Sequence, residues 1–318
     1  IRYYQYGPPD VLKLEEVEKP SPQDNQVLIK VHAASINALD YRKLRADPFL
    51  VRLMSYGLLR PKDPRFGVDV AGRVEAVGEN VKQFRPGDEV FGGAKGAFAE
   101  YVLAREANLA LKPANRSFEE AAAVPGAALT ALQGIRYAGG IRPGQKVLIQ
   151  GASGGVGTFA VQLAKSFGAE VTAVCSTRNL DMARSIGADH VIDYTKEDFT
   201  RNRQRYDLIV AVNGYHSLSA YKRALSPRGV YVCAGGTMPQ FLQAMLLGPR
   251  LSREGGKKLG SMGMAKFNQE DLVYLGELLA AGKIVPVIDR SYPLNEVAEA
   301  IRYIEERHAQ GKIVITVE

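Results

Sequence analysis

A cluster of glycines in the middle of the chain has the spacing of a phosphate-binding loop. Residues 146–157 read KVLIQGASGGVG, in which a short apolar run typical of a buried strand leads through the glycines into a helical pattern. Gly151 would permit the tight turn, the two middle glycines would let the backbone approach a pyrophosphate, and Gly157 would let helix and strand pack closely. The pyrophosphate would lie over the helix N-terminus. The residues assigned to this dinucleotide site are Gly151, Ser153, Gly154, Gly155, Val156 and Gly157.

The end of the next predicted strand indicates which dinucleotide is bound. Residues 170–175 (EVTAVC) are followed by Ser176-Thr177-Arg178-Asn179, and no carboxylate stands where one would bond the ribose 2′-hydroxyl of NAD. Ser176 can donate a hydrogen bond to a 2′-phosphate, and Arg178 can make a charge-assisted one. Ser176 could also cap the helix that begins near Arg178, and the two roles are compatible. We therefore expect the cofactor to be NADP(H).

Two further predicted strands end in residues suited to the nicotinamide half of the cofactor. Residues 207–212 (DLIVAV) are followed by Asn213, and residues 229–234 (GVYVCA) are followed by Gly235 and Gly236. Ligands of open α/β sheets bind at the carboxyl ends of the parallel strands. We expect these three residues to lie near the nicotinamide ribose and carboxamide.

The elements that would position these residues form two domains. Residues 1–116 contain short strands and Gly/Pro turns that suggest a barrel-like β domain, with one helix at 39–46. A capping box, Ser117-x-x-Glu120, then opens a region of alternating strands and helices. We expect an α/β fold class with domains at 1–116 plus 283–318 and at 117–282. The strands predicted in the first domain are 26–34, 70–77, 89–91 and 96–104.

Composition narrows the class of protein and its surroundings. The chain has 318 residues, a net charge of +7, 46% hydrophobic and 24% charged residues, as in an ordinary soluble protein. It has no apolar run of about 18 residues that could span a membrane. Its two cysteines, Cys175 and Cys233, fall in predicted buried strands, which is typical of a reducing compartment. No signal peptide is visible, and we expect a cytoplasmic protein.

Basic clusters and apolar stretches leave several partners open. The basic residues are explained by a solvated surface and attraction for a polyanionic cofactor, while nucleic-acid binding is a minor alternative without a recognition motif. Pro48–Leu59 and Phe241–Leu251 could form a lid over a lipophilic acceptor, a membrane-surface contact or a dimer face. We expect a lid together with a homodimer interface. The basic residues are Arg201, Arg203, Arg205, Arg250, Arg253, Lys257 and Lys258.

Six stretches of the chain resemble the medium-chain dehydrogenase/reductase superfamily, in which a GroES-like β-barrel domain is followed by a Rossmann domain. Within it, the chain is similar to the zinc-free quinone oxidoreductase branch, which includes zeta-crystallin and chloroplast-envelope relatives. The matching stretches are ASINALDYRK (34–43), GVDVAGRVEAVGENVKQFRPGDEVFG (67–92), AAAVPGAALTALQGI (121–135), VLIQGASGGVGTFAVQLAK (147–165), SIGADHVIDYTKEDF (185–199) and HAQGKIVITVE (308–318).

The resemblance implies a metal-free site. The positions that hold Cys, His and Cys ligands in zinc-dependent members hold Asn37, Val68 and Ala127 here, and none of these can serve as a thiolate or imidazole ligand. Without a Lewis acid, the chemistry that needs least assistance is hydride delivery to a conjugated acceptor. We expect a small hydrophobic quinone or α,β-unsaturated carbonyl as substrate.

The resemblance also suggests individual residues. It places Thr130 beside the nicotinamide, although an ordinary helix threonine is the alternative, and it places Tyr194 near the adenosine 2′-phosphate, although a strand-end aromatic would look the same. Lys312 matches a Gly-Lys pair of the family to which no role is attached. Asp69 matches an acidic residue of the family that follows a zinc-ligand position, held by Val68 here, and no role is attached to it either.

Three residues near the vanished metal position are the catalytic candidates. Asn37 could donate a hydrogen bond to a substrate or nicotinamide oxygen and be ordered by Asp40, or the two could be only a helix N-cap and its third helical residue. Tyr41 could line the pocket or donate a proton, or simply pack in the core. The predicted activity is zinc-independent, NADPH-dependent reduction. The alternatives are a metal-free alcohol or aldehyde reductase and an NADPH-binding sensor or RNA-binding protein with little turnover.

Overall fold

Strands of the chain form two separate sheets in the computed structural model, which describes residues 1–47, 52, 57–252, 256–307 and 309–317. The strands are β1 (Gln26–Ile36), β2 (Asp69–Val77), β3 (Glu89–Gly93), β4 (Tyr101–Arg105), β5 (Leu109–Leu111), β6 (Lys146–Gln150), β7 (Glu170–Cys175), β8 (His190–Asp193), β9 (Tyr206–Ala211), β10 (Leu225–Cys233), β11 (Lys258–Ser261), β12 (Ile288–Pro293) and β13 (Lys312–Thr316). The helices are α1 (Ala38–Arg45), α2 (Phe118–Ala122), α3 (Pro125–Arg136), α4 (Gly155–Ser166), α5 (Leu180–Ser185), α6 (Leu218–Ala224), α7 (Met238–Ser252), α8 (Gln269–Ala280) and α9 (Val297–Glu305).

β1 is the central strand of the first sheet. Its valines and isoleucines are buried in one apolar cluster with side chains from β2, β3 and β13. Along one edge β1 pairs antiparallel with β2, and along the other it pairs first with β4 and then with β13. Among the described residues the sheet has seven strands in the order β12-β13-β1-β2-β3-β5, with β4 attached to β1. The first and last parts of the chain therefore share one barrel-like core.

One predicted strand of this sheet is shorter than expected. The alternation of 96–104 predicts a strand, but β4 begins only at Tyr101. Gly96 has a φ of +89°, and its N–H bonds the Gly67 carbonyl at 3.0 Å, which turns the backbone away from a strand path. The turn buries Phe98 against Phe66, so the apolar pattern of this stretch comes from a buried turn.

The second sheet is parallel throughout. Its described order is β11-β10-β9-β6-β7-β8, and every pair is parallel. The chain proceeds outward from β6 through β7 to β8, then returns to β9 on the other side of β6, so the strand order reverses between β6 and β9. Ligands bind at such a switch point, beside the carboxyl ends of the strands. The predicted α/β fold is confirmed here, and the glycine loop after β6 lies at the switch point.

The two compact units differ from the predicted domain boundaries. The first unit contains residues 1–127, 267–282 and 286–318, and the second contains 128–266 and 283–285. The helix α8 thus belongs with the first sheet, where the Arg116 side chain bonds the Leu279 carbonyl at 2.9 Å and Gly276 faces Phe91. Helical periodicity shows that α8 has an apolar face but not which sheet it covers.

The structure describes only part of the apolar and basic stretches that the sequence analysis singled out. In the stretch Pro48–Leu59, residues 48–51 and 53–56 lie outside the described part of the chain, as does Arg253. The stretch Phe241–Leu251 lies within α7, where Met245, Leu246 and Leu247 are exposed. No helix in the described residues is long and apolar enough to cross a membrane.

Candidate active site

The glycine loop after β6 has the geometry of a phosphate cradle. Gly151 has a φ of +82°, which favours glycine, and a Cβ at Gly157 would lie 2.1 Å from the Gly151 carbonyl oxygen. A Cβ on Gly154 would meet only one atom, 4.0 Å away, so the backbone there is open to a ligand. Ser153 to Val156 are half-buried, and the first N–H groups of α4 have no acceptor within the helix. The loop fits a pyrophosphate.

The residues predicted to bind the 2′-phosphate lie together at the end of β7. Arg178 is exposed and Ser176 half-buried, on either side of the start of a short 3-10 helix. The Ser176 hydroxyl accepts a hydrogen bond from the Asn179 amide nitrogen at 3.0 Å, so its side chain does not cap the backbone. Asn179 is buried, and its amide oxygen has no partner in the described structure. An unpaired buried acceptor beside this loop is consistent with a bound hydroxyl or water.

A carboxylate that the sequence analysis missed lies beside these residues. Asp193 ends β8 directly opposite Cys175, and it accepts hydrogen bonds from the Thr177 hydroxyl at 2.5 Å and the Thr195 hydroxyl at 2.7 Å. These bonds lower its pKa to about 2, so it is ionised at neutral pH. Its oxygens hold the loop together, with Lys196 at 3.5 Å. The adjacent Tyr194 is 63% exposed, which leaves its ring available for stacking.

The carboxyl ends of β6, β9 and β10 are tightly packed. A Cβ at Gly151 would lie 2.8 Å from Asn213, and one at Gly235 would lie 2.6 Å from the Val212 carbonyl oxygen. Gly236 has a φ of +99°. The structure thus brings the predicted loop residues Gly151, Asn213 and Gly235 to the same edge of the sheet. Their contacts with a nicotinamide stay a prediction.

Gln150 is a further residue of this edge that the sequence analysis missed. It ends β6 with 5% of its surface exposed, and its amide oxygen accepts the Tyr221 hydroxyl hydrogen bond at 2.5 Å. Its backbone carbonyl accepts the Asn213 N–H at 3.2 Å. Gln150 therefore links the glycine loop to the loop after β9. Thr130 is half-buried on α3 in the same unit, and its role stays a prediction.

In the first unit, Asn37 is held between two buried charges. Its amide nitrogen donates to Asp69 Oδ2 at 2.9 Å, and its amide oxygen accepts from Lys312 Nζ at 2.7 Å. The Asp69 carboxylate also accepts the Ser35 hydroxyl at 3.0 Å and the Gly126 N–H at 3.0 Å. Asp69 is 0% and Lys312 2% exposed. Two positions that the resemblance left without a role therefore fix the side chain of the first catalytic candidate.

Asp40 is close to Asn37 but contacts its backbone. Asp40 Oδ2 accepts the Asn37 N–H at 2.8 Å and forms a capping box with Asn37 at the start of α1, and the Asn37 side chain also bonds Asp69 and Lys312. Burial raises the pKa of Asp40 to about 6, against the opposing effects of Lys43 and the Asn37 N–H. Burial also lowers the pKa of Lys312, an effect that Asp69 and Asp40 oppose. Asp40 thus acts on Asn37 through the helix cap.

Tyr41 contacts a different set of side chains. It packs against the apolar core of the first unit, and the Arg42 guanidinium lies 6.0 Å from its ring centre. These contacts match the packing alternative, and a catalytic role for Tyr41 stays a prediction.

The described residues around Asn37 provide no set of metal ligands. Asn37 is engaged with Asp69 and Lys312, and no group of three or more His, Cys, Asp or Glu side chains in the described residues could hold a metal ion. The Lys312 ammonium lies 2.7 Å from the Asn37 amide oxygen and occupies the place of a cation next to that oxygen.

Comparison with known proteins identifies the family. Residues 23–114 match a family profile described as alcohol dehydrogenase GroES-like domain, and residues 186–315 match one described as zinc-binding dehydrogenase. A 2-methylene-furan-3-one reductase from Solanum lycopersicum is 38% identical over 98% of this chain and 77% of that protein. An NADPH-dependent alkenal/one oxidoreductase from Arabidopsis thaliana, described as chloroplastic, is 34% identical over 98% of this chain and 78% of that protein.

A solved structure extends the match to the whole fold. The quinone oxidoreductase from Coxiella burnetii has a TM-score of 0.86 and 32% identity, over 100% of this chain and 98% of that one. The GroES-like and Rossmann-type architecture that the sequence predicts is therefore confirmed. The chain belongs to the medium-chain dehydrogenase/reductase superfamily, in its quinone oxidoreductase-like branch.

Proposed function

We propose that this protein is a zinc-independent reductase that transfers hydride from NADPH to quinones or α,β-unsaturated carbonyls. The observation that carries the proposal is the Asn37 amide, which Asp69 and Lys312 hold at the position of a zinc ligand in other members of the superfamily. The printed names of the relatives, a furanone reductase, an alkenal/one oxidoreductase and a quinone oxidoreductase, support the same substrate class.

The choice of NADPH rests on the loop after β7. Arg178 is exposed there beside the half-buried Ser176, and both can bond a 2′-phosphate. Asp193, the nearby carboxylate, is occupied by Thr177 and Thr195 and does not have to serve as a ribose acceptor. The Arabidopsis relative is named as NADPH-dependent, which supports this cofactor.

The residues of the first unit account for the rest of the chemistry. NADPH supplies the hydride when it is bound. A reduced acceptor would gain negative charge on its oxygen, and the second N–H of the Asn37 amide would donate a hydrogen bond to that oxygen. A conjugated acceptor can be reduced without a metal that polarises its carbonyl group. A hydrogen bond from an amide therefore suffices to stabilise the charge on its oxygen. A proton then reaches the reduced acceptor from water or a weak acid.

We also propose that the protein is a homodimer. β11 is an edge strand of the parallel sheet in the described structure, and its outer backbone groups can pair with a second copy. Sedimentation velocity measures the assembly state directly, and a monomer at micromolar concentration would contradict this proposal.

A steady-state assay tests the proposed activity. NADPH and NADH oxidation is followed with 1,4-benzoquinone, 9,10-phenanthrenequinone and a medium-chain enone, with and without EDTA. We expect turnover with NADPH that EDTA does not reduce, and weaker turnover with NADH. Loss of activity in EDTA that added Zn²⁺ restores would overturn zinc independence, and NADPH binding without turnover of any acceptor would overturn the activity.

A further inference from the structure

We propose that Lys312 is a positioning residue for the reduction: it orients the Asn37 amide so that one Nδ2–H remains for the acceptor oxygen. The inference rests on the proposed function, because it assigns a role to a residue behind the proposed donor. Lys312 is separated from Asn37 by 275 positions in the sequence, and their side chains are 2.7 Å apart.

Strand register brings the three side chains together. Ser35 of β1 lies opposite Val314 of β13 on one edge and opposite Asp69 of β2 on the other. Lys312 and Asp69 are the first residues of their strands, so both lie at the end of β1 where Asn37 follows. Gly311 has a φ of +84°, and its absent Cβ would lie 2.1 Å from the Val287 carbonyl oxygen, which fixes the path of the chain into β13.

All the donors of the Lys312 ammonium are directed at this group. It bonds the Ile36 carbonyl at 2.9 Å and Asn37 Oδ1 at 2.7 Å, and it lies 3.5 Å from Asp69 Oδ2. Burying two charges costs free energy, and apolar residues of similar size often replace such a pair without loss of stability. The Lys312–Asp69 pair therefore contributes little to the net stability of the fold. Its geometry does control the orientation of the Asn37 amide.

The two charges select one orientation of the Asn37 amide. The ammonium contacts the amide oxygen, and the carboxylate contacts the amide nitrogen. The reversed orientation would place NH₂ against an ammonium and a carbonyl oxygen against a carboxylate, and both contacts are repulsive. A cation on the amide oxygen also withdraws electron density from the nitrogen. The second N–H, which has no acceptor among the described residues, therefore becomes a stronger donor to an oxygen that gains charge.

The first test replaces the lysine and uses a matched control. Lys312→Met should reduce kcat about tenfold or more with quinone and enone acceptors, because the donor is no longer fixed. The affinity for NADPH, measured by fluorescence titration, should stay unchanged. Lys112→Met is the control, since the Lys112 side chain, also in the first unit, is 4% exposed and pairs with Glu89 at 3.1 Å. The control should keep the kcat of the wild type.

A second variant separates positioning from stability. Lys312→Met leaves the Asp69 charge unpaired and can lower stability, whereas Lys312→Met/Asp69→Asn removes both charges. We expect the double variant to melt at or above the temperature of the wild type and still to lose kcat.

A mutant cycle with Asn37→Ala gives the decisive result. If Lys312 acts through Asn37, then Lys312→Met adds no further loss of kcat in the Asn37→Ala background. Independent, multiplying losses, or full kcat in the double variant Lys312→Met/Asp69→Asn, would overturn the inference and leave the proposed function standing. A wild-type protein that reduces no quinone or enone would overturn both.

Discussion

Asn37 shows how much chemistry depends on the neighbours of one side chain. An isolated asparagine amide can turn over at little cost, but here its oxygen contacts an ammonium and its nitrogen contacts a carboxylate. The same residue therefore has a defined donor side. At the cofactor end, Ser176 and Arg178 have the residue types for a 2′-phosphate, and Asp193, which could have favoured the hydroxyl of NAD, is already hydrogen-bonded to two threonines.

Asp40→Asn tests the charge beneath α1. Burial raises the pKa of Asp40 from 3.8 to about 6, so the folded protein binds a proton more tightly than the unfolded chain does. The contribution of this carboxyl to stability is full below about pH 4 and is lost as the pH rises towards 6, a difference of about 3 kcal/mol. Asparagine keeps the acceptor for the Asn37 N–H without the charge. Asp40→Asn should therefore raise the melting temperature more at about pH 7.5 than at about pH 4.5.

The matched control for this prediction is Asp47→Asn. Asp47 is exposed just beyond the C-terminal end of α1, where its carboxylate remains hydrated in the folded state. Its substitution should shift the melting temperature equally at both pH values. An equal shift for Asp40→Asn would show that its charge costs nothing in the fold.

Arg178→Ala tests the cofactor. Loss of a charge-assisted hydrogen bond to the 2′-phosphate should weaken NADPH binding by about 10- to 100-fold and leave NADH binding nearly unchanged. Isothermal titration of both dinucleotides measures the difference. Arg184→Ala is the control, because Arg184 is an exposed arginine of α5 already paired with Asp181. Equal losses for NADPH and NADH would contradict the 2′-phosphate assignment.

At the scale of elements, register and loop shape determine the site. The carboxyl end of β1 pairs with β2 on one side and with β13 on the other. This pairing brings Asp69 and Lys312 next to each other. The switch between β6 and β9 opens the carboxyl edge where the glycine loop lies. The stretch 121–135 is divided between α2 and α3, because Pro125 has no N–H and begins a new helix.

Two glycines of the loop separate folding from binding. Gly157→Ala should lower the melting temperature, because its Cβ would lie 2.1 Å from the Gly151 oxygen. Gly154→Ala should leave the melting temperature nearly unchanged, because its Cβ enters open space, yet it should weaken NADPH binding about tenfold or more by crowding the pyrophosphate. Differential scanning fluorimetry and fluorescence titration measure the two effects. Wild-type NADPH affinity in Gly154→Ala would place the phosphates elsewhere.

At the scale of the whole molecule, the charge balance favours an anionic ligand. The chain carries a net charge of +7, and the cofactor that fits its second unit is polyanionic. A positive protein attracts such a ligand over a distance set by the ionic strength. The basic clusters are thus explained without a nucleic acid.

The association rate of the cofactor tests this explanation. Raising NaCl from about 20 to about 200 mM should slow NADPH association in stopped-flow fluorescence severalfold, and NADH association less, because NADH lacks the 2′-phosphate. The dissociation rate should change little. Equal salt dependence for the two dinucleotides would mean that the net charge does not steer the cofactor.

The local features of this protein follow from short stretches of its sequence. The glycine loop, the strands at 146–150 and 170–175 and the capping box at Ser117 and Glu120 are all where the pattern predicts them, because turn geometry, strand period and capping depend on neighbouring residues. Family resemblance added the positions of Lys312 and Asp69 but no role for either.

The contacts of those two positions depend on strands that are far apart in the sequence. Lys312 lies 275 residues from Asn37 and 243 from Asp69, and the pairing of β1 with both β13 and β2 brings them into contact. Asp193 meets Thr177 in the same way, through the parallel register of β7 and β8. Residue type and spacing describe one strand at a time. Which side chains share a hydrogen bond across strands depends on register, and register is set when the whole sheet is buried.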